Sequence, residues 1–547
     1  MREDISGWQV RLTDSLIKKN SRSGIWRNKT ISDLLEIQAV QQPDKILVID
    51  GEKKVTASQL YDMGRSLAFS LKSMGLSEGD VISFQLPNWY EVLVIDMAAS
   101  FLGLVCNPII PIYREAEVTY ILKDAGTRVF FVPTEFRGFD YITMIENHRG
   151  ELPNLDYIVT VRGNAEECVD WKDLTNIGES NSLNKSIIDP NSVKLIMYTS
   201  GTTGQPKGVL HSHNTIDTEN QAFRKFLNLG SEDVILMPSP LTHITGYLYG
   251  VQLPIVLGVP VVLMEIWDAK IAAELIDLHG VTFTIAATVF LQELTTFSRS
   301  NGLDLPTLRY FPCGGAPVPP EVIYSAHNVF SQCVCARCYG STEAPTVTLG
   351  VNSREKEDIG ASTEGFIVGH EVLIVDENGD EVPDGVEGEI VTRGPEMCLG
   401  YADPEHNSAF DKDGFFHTGD LAVKTSENCL VITGRLKDLI IRGGENLSPR
   451  EVEDALHEIP QVYEAAVVSM PHPRLGETGC AFVVLLPEAS MTFEEMIGAL
   501  ESSGMAKQKY PERLEIVDSF PRTPAGKIRK NVLREQISET LESEAAD

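Results

Sequence analysis

Apolar positions follow helical and strand-like spacings in alternation along the first three quarters of the chain. Thr56 and Gln59 form a capping box that predicts an amphipathic helix as far as about Met74. A short strand is predicted at 81–85 and a helix at 89–101, and a further strand at 128–132. This alternation favours an α/β fold with largely parallel sheets.

The pattern changes near residue 434. Ser448 and Pro449 predict the start of a helix, with Ser448 as N-cap and Glu451 closing a capping box. Strand-like runs and a second capped helix, which begins at Thr492, follow. About 110 residues of this kind suffice for a small domain. We therefore predict a large N-terminal domain of layered α/β sheets, residues 1–435, and a small mobile C-terminal α+β domain, residues 436–547.

Charge and composition exclude several classes of function. The 547 residues carry a formal net charge of −32, which disfavours binding to nucleic acid or to an anionic membrane surface. Nine scattered cysteines do not form a disulfide framework, and the N-terminal residues lack a signal-peptide pattern, so we expect a cytoplasmic protein. The longest nearly apolar stretch, 250–264, is shorter than the ~20 residues of a membrane span. We expect it to form a buried strand pair or another sheet element, and we expect no stable membrane association.

The strongest motif is YTSGTTGQPKG at 198–208, which follows an apolar strand at 193–197. Its glycines, hydroxyl groups and lysine can offer backbone N–H groups, O–H groups and one positive charge to phosphate oxygens. It is neither a Walker A loop nor a dinucleotide fingerprint, and the alternative is a flexible surface turn. The predicted phosphate-binding residues are Thr199, Ser200, Gly201, Thr202, Thr203, Gly204 and Lys207.

This loop resembles the phosphate loop of the adenylate-forming superfamily, which contains acyl- and aryl-CoA synthetases, peptide-synthetase adenylation domains and beetle luciferases. Other motifs of that family recur in order along almost the whole chain: CGGAP at 313–317, YGSTEA at 339–344, HTGD at 417–420, GRLKDLIIRGGENLSP at 434–449 and PRTPAGKIRK at 521–530. The resemblance implies an AMP-forming ligase that uses ATP, Mg²⁺ and coenzyme A. A carboxylate and ATP would give acyl-AMP and pyrophosphate, and acyl-AMP and CoA would then give acyl-CoA and AMP.

The resemblance also implies roles for individual residues. Because the carboxylate and the triphosphate are both anionic, Mg²⁺ and cationic side chains must offset their repulsion. Glu343 matches the Mg²⁺ ligand, Asp420 the ribose-binding carboxylate, Lys527 the catalytic lysine of adenylation, and Lys437 the hinge between two catalytic poses. Thr199 and His243 complete the predicted catalytic set. The other predicted nucleotide and CoA contacts are Gly315, Ala316, Pro317, Tyr339, Gly340, Ser341, Thr342, Ile432, Arg435, Gly443 and Gly444.

The acyl pocket is expected between residues 241–247, 286–290 and 313–316, with His243 as a gate between ATP and the thiol path. Its predicted lining residues are His243, Ile244, Tyr247, Val289, Phe290 and Gly314. These stretches hold no Lys, Arg, Asp or Glu, so we expect a medium-chain, cyclic or aromatic acid rather than an amino acid. A long-chain acyl-CoA ligase and a non-catalytic sensor of nucleotide or acyl-CoA remain as alternatives.

Two further patterns contain residues that can bind metals, but we expect packing roles for both. Cys333, Cys335 and Cys338 have no fourth ligand at a zinc-like spacing, so we expect small apolar thiols on a strand. His211 and His213 follow the phosphate loop, where packing or helix capping is the expected role. The oligomeric state is left open, with a homodimer among the alternatives.

Overall fold

Two large sheets flanked by helices form most of the molecule. The computed structural model describes residues 1–175, 187–199, 205–316, 318–442, 445–503, 505–522 and 527–546. Most neighbouring strands of both sheets run parallel, as the alternation of helices and strands predicts. The α/β class is therefore confirmed.

The first sheet carries the strand that leads into the phosphate loop. That strand, Val193–Thr199, turns back through an antiparallel partner, Lys207–Ser212, whereas its other neighbour runs parallel. The two strands of this hairpin thus flank the phosphate loop at one end of a buried sheet. From one edge to the other the strands are Val169–Asp170, Tyr157–Val161, Val129–Pro133, Val81–Phe84, Val105–Pro108, Val193–Thr199, Lys207–Ser212 and Gly400–Tyr401.

The second sheet supports the adenine and acyl side of the predicted site. Its strand Tyr310–Gly314 runs parallel to Val334–Cys338, so the CGGAP and YGSTEA motifs leave the sheet at the same edge. The other strands of this sheet are Phe283–Thr284, Ala286–Ala287, Ile235–Met237, Val261–Leu263, Ile46–Asp50 and Lys53–Thr56.

The helix Tyr90–Leu102 lies at the centre of the core and contacts a strand of each large sheet. It packs against Ala57–Ser73, where a Cβ added at Gly64 would lie 2.9 Å from the Cβ of Met97. A glycine there lets the two helices touch. The remaining helices of this part are Asp14–Arg22, Ile31–Gln41, Glu115–Asp124, Tyr141–His148, Trp171–Leu174, His213–Phe226, Ile244–Gly246, Tyr247–Gln252 (a π-helix), Leu253–Leu257, Ala269–His279, Thr288–Asn301, Pro320–His327 and Glu357–Ser362.

A smaller antiparallel sheet links the large sheets to the C-terminal part. Its strands are Glu371–Val375, Glu387–Arg393, Phe416–Lys424 and Leu430–Arg435. A single 3₁₀ turn, Leu436–Asp438, then leads into a separate sheet. The predicted boundary at residues 435 and 436 falls at this turn, and the division into two domains stays a prediction.

The C-terminal sheet and its helices form their own hydrophobic clusters. The strands are Glu445–Leu447, Ile440–Arg442, Gly476–Leu485, Val462–His472 and Arg513–Ile516, and the helices are Pro449–His457, Phe493–Ser502 and Lys530–Ala546.

Two local predictions are wrong. The stretch 250–264 is mainly helical, with Val261–Leu263 as its strand, because it continues a π-helix instead of starting a strand pair. Ser448 occupies the N-cap but makes no cap hydrogen bond; its hydroxyl donates to the carbonyl of Thr433, 2.5 Å away. Glu451 instead pairs with Lys509. None of the helices in the described parts of the chain combines the length and apolarity needed to cross a bilayer.

Candidate active site

The base of the phosphate loop is a two-stranded hairpin. Thr199 and Lys207 are cross-strand partners at the end of the hairpin next to the loop, so both lie at the end of the first sheet. The Lys207 Nζ lies 5.8 Å from the centre of the Tyr401 ring. Six predicted contacts lie outside the described residues: Ser200, Gly201, Thr202, Thr203, Gly204 and Pro317. The same is true of Gly443 and Gly444.

Tyr401 holds the predicted magnesium ligand. Its hydroxyl donates a hydrogen bond of 2.7 Å to Oε1 of Glu343. Burial, and next the Glu343 charge, raise the pKa of Tyr401, so the phenol keeps the proton that it donates. Tyr401 pairs with Val209 beside the phosphate loop, which brings Glu343 next to that loop. Sequence reasoning missed Tyr401 because it lies 58 residues from its partner.

His211 holds the neighbouring residue of the same motif. Its Nε2 lies 2.7 Å from the carbonyl oxygen of Thr342, and its Nδ1 lies 3.1 Å from the hydroxyl of Thr215. Burial lowers the pKa of His211 to about 4, so the imidazole is neutral at pH 7. His213 is buried, and its Nδ1 accepts from the backbone N–H of Ile31. Both histidines therefore have packing roles, as predicted.

Asp420 joins the HTGD motif to two other motifs. Its Oδ2 accepts from the hydroxyl of Tyr339 at 2.7 Å, and its Oδ1 lies 2.6 Å from Nε of Arg435. Burial lowers the pKa of Arg435, but the charge of Asp420 raises it, and the pKa is raised overall. The carboxylate is thus fixed in place before any ribose is bound.

Nearby backbone groups are held by two further carboxylates. Glu389 accepts from the N–H of Gly419, which precedes Asp420. Glu364 accepts from the N–H of Ile432 at 2.8 Å, so a hydrogen bond fixes the backbone of this predicted nucleotide contact. Four other predicted contacts lie at the edge of the second sheet: Gly315 and Gly340, which are exposed, Ala316, also exposed, and Ser341, half-buried.

Lys527 of the C-terminal part reaches into the same cleft. The cleft walls desolvate its ammonium group and, together with Arg435, lower the pKa of Lys527, whereas Asp420 and Glu343 oppose that effect. Burial and then Lys527 lower the pKa of His243 to about 4. These effects indicate that Lys527 lies within electrostatic range of Glu343, Asp420 and His243, as the predicted site requires.

Lys437 lies in the 3₁₀ turn Leu436–Asp438, where the chain crosses into the C-terminal sheet. Burial and then Arg435 lower the pKa of Lys437. Lys207, Arg435, Lys437 and Lys527 together give this acidic protein a locally basic cleft. Such a cleft can hold a polyanion such as a triphosphate.

The predicted acyl-pocket residues differ in burial. His243 caps the turn Ile244–Gly246, and Ile244 is buried. Val289 is 40% exposed, and Phe290 stacks on Trp267 with ring centres 4.5 Å apart. Gly314 packs so closely that a Cβ would lie 2.3 Å from the carbonyl oxygen of Cys338. The contacts of these residues with an acid stay predictions.

Tyr247 is fully buried and belongs to a polar network that sequence reasoning missed. Its hydroxyl hydrogen-bonds to Asp96, which also pairs with Lys194 at 2.8 Å and accepts from Gln252 at 2.7 Å. Lys194 lies on the strand that leads to the phosphate loop. The network therefore joins that strand to the segment that carries His243, and the hydroxyl of Tyr247 is engaged behind the predicted pocket.

The cysteine pattern at 333–338 lies on and just before a buried strand. Cys333 and Cys335 pack in a hydrophobic cluster, with 3.6 Å between their sulfur atoms. Among the described residues, these thiols do not meet further His, Cys, Asp or Glu side chains in a group that could hold a metal ion. The expectation of apolar thiols agrees with this packing.

Family models describe the chain in two consecutive parts. The model of the AMP-binding enzyme matches residues 35–402, and that of the AMP-binding enzyme C-terminal domain matches residues 451–527. The chain belongs to the AMP-binding enzyme family. The predicted membership of the adenylate-forming superfamily is therefore confirmed.

Individual relatives of this AMP-binding enzyme span nearly its whole length. The medium-chain fatty-acid–CoA ligase of Escherichia coli (strain K12) is 36% identical over 96% of this chain and 94% of its own. The 2,3-dihydroxybenzoate-AMP ligase of Bacillus subtilis (strain 168) is 31% identical, over 96% and 97%. ATP-bound MatB from Rhodopseudomonas palustris is 25% identical with a TM-score of 0.84, over 93% of this chain and 99% of that structure. The predicted enzyme class, an AMP-forming acid–thiol ligase using ATP, Mg²⁺ and CoA, is confirmed.

Proposed function

We propose that this AMP-binding enzyme is an ATP-dependent carboxylic acid–CoA ligase for medium-chain fatty acids or for cyclic or aromatic acids. The observation that carries the proposal is a pair of carboxylates, Glu343 fixed by Tyr401 and Asp420 fixed by Tyr339, whose charges both act on Lys527 of the C-terminal part. A cleft that gathers a mobile cation, a metal-binding carboxylate and a ribose-binding carboxylate suits the joining of a carboxylate to ATP.

In the first half-reaction, a carboxylate oxygen of the acid attacks the α-phosphorus of ATP. The bond from that phosphorus to the oxygen bridging to the β-phosphate breaks, and pyrophosphate leaves. Lys527 and Arg435 offset the negative charge that gathers on the α-phosphate. Asp420, held by Tyr339, orients the nucleotide through its ribose hydroxyls.

Glu343 fits a magnesium site because it offers a carboxylate, the ligand type that Mg²⁺ prefers. Tyr401 donates a hydrogen bond to Oε1 of Glu343 and thereby orients the carboxylate. Magnesium, when bound there, neutralises phosphate charge. The role of this chain is to hold Glu343 beside the phosphate loop through Tyr401 and Thr342.

In the second half-reaction, the thiol of CoA loses its proton and the sulfur attacks the acyl carbon, so that AMP leaves. We propose that rotation at Lys437 removes Lys527 and opens the path for the thiol. His243 is neutral at pH 7 because its pKa is about 4, so it adds no charge beside the reacting carbonyl.

The acid is proposed from the absence of charged residues in 241–247, 286–290 and 313–316. The buried side chain of Ile244 supports an apolar wall. The name of the Escherichia coli relative supports a medium-chain acid, and that of the Bacillus subtilis relative supports an aromatic one. Because each buried CH₂ contributes about 0.8 kcal/mol, kcat/KM should rise about fourfold per carbon until the pocket is filled.

A panel of acids tests this assignment. We expect kcat/KM for hexanoate, octanoate, benzoate or cyclohexanecarboxylate to exceed that for acetate and for amino acids, with palmitate poorer than the best of them. A preference for acetate or for an amino acid would rule out the acid class. A preference for palmitate would favour a long-chain ligase.

A further inference from the structure

Behind the YGSTEA loop lies a sealed cluster of three side chains, Glu219, His370 and Glu396. One possible ligand atom from each lies within 4.8 Å of the other two. The side chains of His370 and Glu396 have no solvent exposure, and Glu219 is buried as well. Two carboxylates and an imidazole are thus shut away from water at one point.

Three separate segments of the chain build this cluster. Glu219 lies on the helix His213–Phe226, and His370 immediately precedes the strand Glu371–Val375. Glu396 follows the strand Glu387–Arg393. No local sequence pattern brings these residues together, which is why sequence reasoning did not find them.

Glu396 is the member whose environment calls for a ligand. Among the described residues, neither of its carboxylate oxygens has a hydrogen-bond partner. An ionised carboxylate is among the costliest groups to bury without a partner. Two glycines leave room for it: a Cβ at Gly369 would lie 1.9 Å from Oε1, and a Cβ at Gly394 would lie 2.9 Å from Oε2. The packing thus buries the carboxylate of Glu396 without giving it a hydrogen-bond donor among the described residues.

The other two members are oriented by hydroxyl groups on their outer sides. Oε1 of Glu219 accepts from the hydroxyl of Tyr249 at 2.6 Å and from that of Thr346. The Nδ1 of His370 lies 3.2 Å from the hydroxyl of Thr392. Hydrogen bonds of this kind, on the far side of a ligand, orient the side chains of metal sites.

The inner nitrogen of His370 faces oxygen atoms only. Its Nε2 lies 3.6 Å from Oε1 of Glu396 and 3.0 Å from the carbonyl oxygen of Pro345. If Nδ1 donates to Thr392, then Nε2 presents a lone pair to two acceptors, and a cation between them satisfies all three. If Nε2 carries the hydrogen instead, it donates to the carbonyl of Pro345 and leaves both carboxylate oxygens of Glu396 without a donor among the described residues.

We propose that Glu219, His370 and Glu396 bind one divalent cation of the zinc type. An imidazole with carboxylates is a ligand set of Zn²⁺ and related metals, whereas Mg²⁺ and Ca²⁺ prefer oxygen ligands alone. The two positive charges balance the two carboxylates. The carbonyl of Pro345 is placed to serve as a fourth ligand.

The cation would act on structure rather than on the reacting groups. Pro345 and Thr346 continue directly from Glu343, so the ion would tie the helix and the two strand ends to the loop that carries the predicted magnesium ligand. Glu343 itself bonds to Tyr401, outside this cluster. The proposed site is therefore distinct from the magnesium site and does not depend on the proposed function.

Metal analysis of the full-length protein tests the proposal. The protein is stripped with a chelator, incubated with ZnCl₂, desalted and measured by elemental analysis and thermal unfolding. We expect about one equivalent of zinc per chain, with a higher unfolding temperature than the stripped protein. Glu396→Gln and Glu219→Gln should each lower zinc affinity at least about tenfold and lose the thermal shift.

Two matched variants separate this site from others. Glu377→Gln changes an exposed glutamate just after the strand Glu371–Val375. Glu343→Gln removes the predicted magnesium ligand. Both variants should retain the zinc. Wild-type protein that retains no zinc and shows no thermal shift would overturn the proposal, even if the cluster variants fail to fold. Equal zinc retention by Glu396→Gln and the wild type would also overturn it.

Discussion

The two sides of the cleft are held in place by different means. On the large side, each functional group is fixed by a hydrogen bond from its own domain: Glu343 by Tyr401, Asp420 by Tyr339, and the Thr342 carbonyl by His211. On the small side, Lys527 depends on how the C-terminal part docks. The comparison teaches that the large side is preorganised by its own contacts, whereas the position of Lys527 depends on docking, as the proposed rotation requires.

Polar contacts join the small side to the large side. Arg450 donates to Glu364 at 3.3 Å, and the hydroxyl of Ser448 donates to Thr433. Glu364 also accepts from the backbone of Ile432, beside the nucleotide. A polar seam of this kind can be broken and re-formed at a smaller cost than an apolar one, which suits a domain that changes pose.

The largest effect is expected at Lys527. Lys527→Ala removes a cation that acts only in this pose, so acyl-AMP formation should fall by about 10²–10³. Conversion of preformed acyl-AMP and CoA to thioester should be retained. The two half-reactions are measured separately by pyrophosphate release and by thioester formation. An equal loss of both would break the comparison, and Lys507→Ala, at an exposed lysine of the same domain, is the control.

The same lysine gives a pH signature. Because desolvation and the charge of Arg435 lower the pKa of Lys527, its ammonium group loses its proton at a lower pH than an ordinary lysine does. The adenylation rate should therefore decline on the alkaline side before an ordinary lysine would titrate. Lys527→Arg should move that decline to higher pH, and an unchanged profile would contradict the role of Lys527.

The next largest effect is expected at the hinge. Lys437→Pro restricts the backbone and removes an N–H donor at the predicted rotation point. Adenylation should survive, while thioester formation should fall by about 10²-fold, the cost of misplaced reacting groups. Lys437→Ala, which keeps backbone freedom, is the matched control. Full CoA ligation by the proline variant would place the hinge elsewhere.

A smaller effect is expected on the preorganised side. Tyr401→Phe removes the donor to Glu343, and a hydrogen bond to a charged group contributes about 1.5–3 kcal/mol. Adenylation should fall by about 10- to 100-fold, with a higher Mg²⁺ requirement. Tyr324→Phe, which removes a tyrosine hydroxyl that donates to a different carboxylate, that of Asp358, serves as control. A loss that Mg²⁺ concentration does not alter would mean that Tyr401 acts otherwise.

The smallest effect is expected at the seam. Arg450→Ala removes one hydrogen bond to Glu364, which keeps Arg337 and the Ile432 N–H as partners, so adenylation should fall by only about two- to fivefold. Thioester formation from acyl-AMP should stay equal or rise, because the competing pose is weakened. The ratio of the two rates measures the effect. A loss confined to the second step would show that the seam supports the other pose.

Local signals predicted much of the fold. The capped helices at Ala57–Ser73 and Phe493–Ser502 form as expected, because both cap partners are three residues apart. The stretch 250–264 was mispredicted because an all-apolar run has no period that separates a buried helix from a strand. Ser448 is the N-cap as predicted, but its capping box does not form because a carbonyl of the large part takes its hydroxyl.

The site divides in the same way. Residues within motifs, such as Asp420 and Lys527, could be found because the motifs stand in the chain itself. The residues that hold them could not, since His211 lies 131 residues from Thr342 and Asp96 lies 98 residues from Lys194. Such partners become visible only when the fold brings distant segments together.

The central claim is that one cleft carries out two successive half-reactions, and the CoA dependence of the products from ATP tests it most directly. With octanoate and ATP but no CoA, pyrophosphate release should stop at about one equivalent per enzyme, because acyl-AMP stays bound. Addition of CoA should restart turnover, with AMP and acyl-CoA formed in equal amounts. ATP consumption that depends on neither the acid nor CoA would contradict the account.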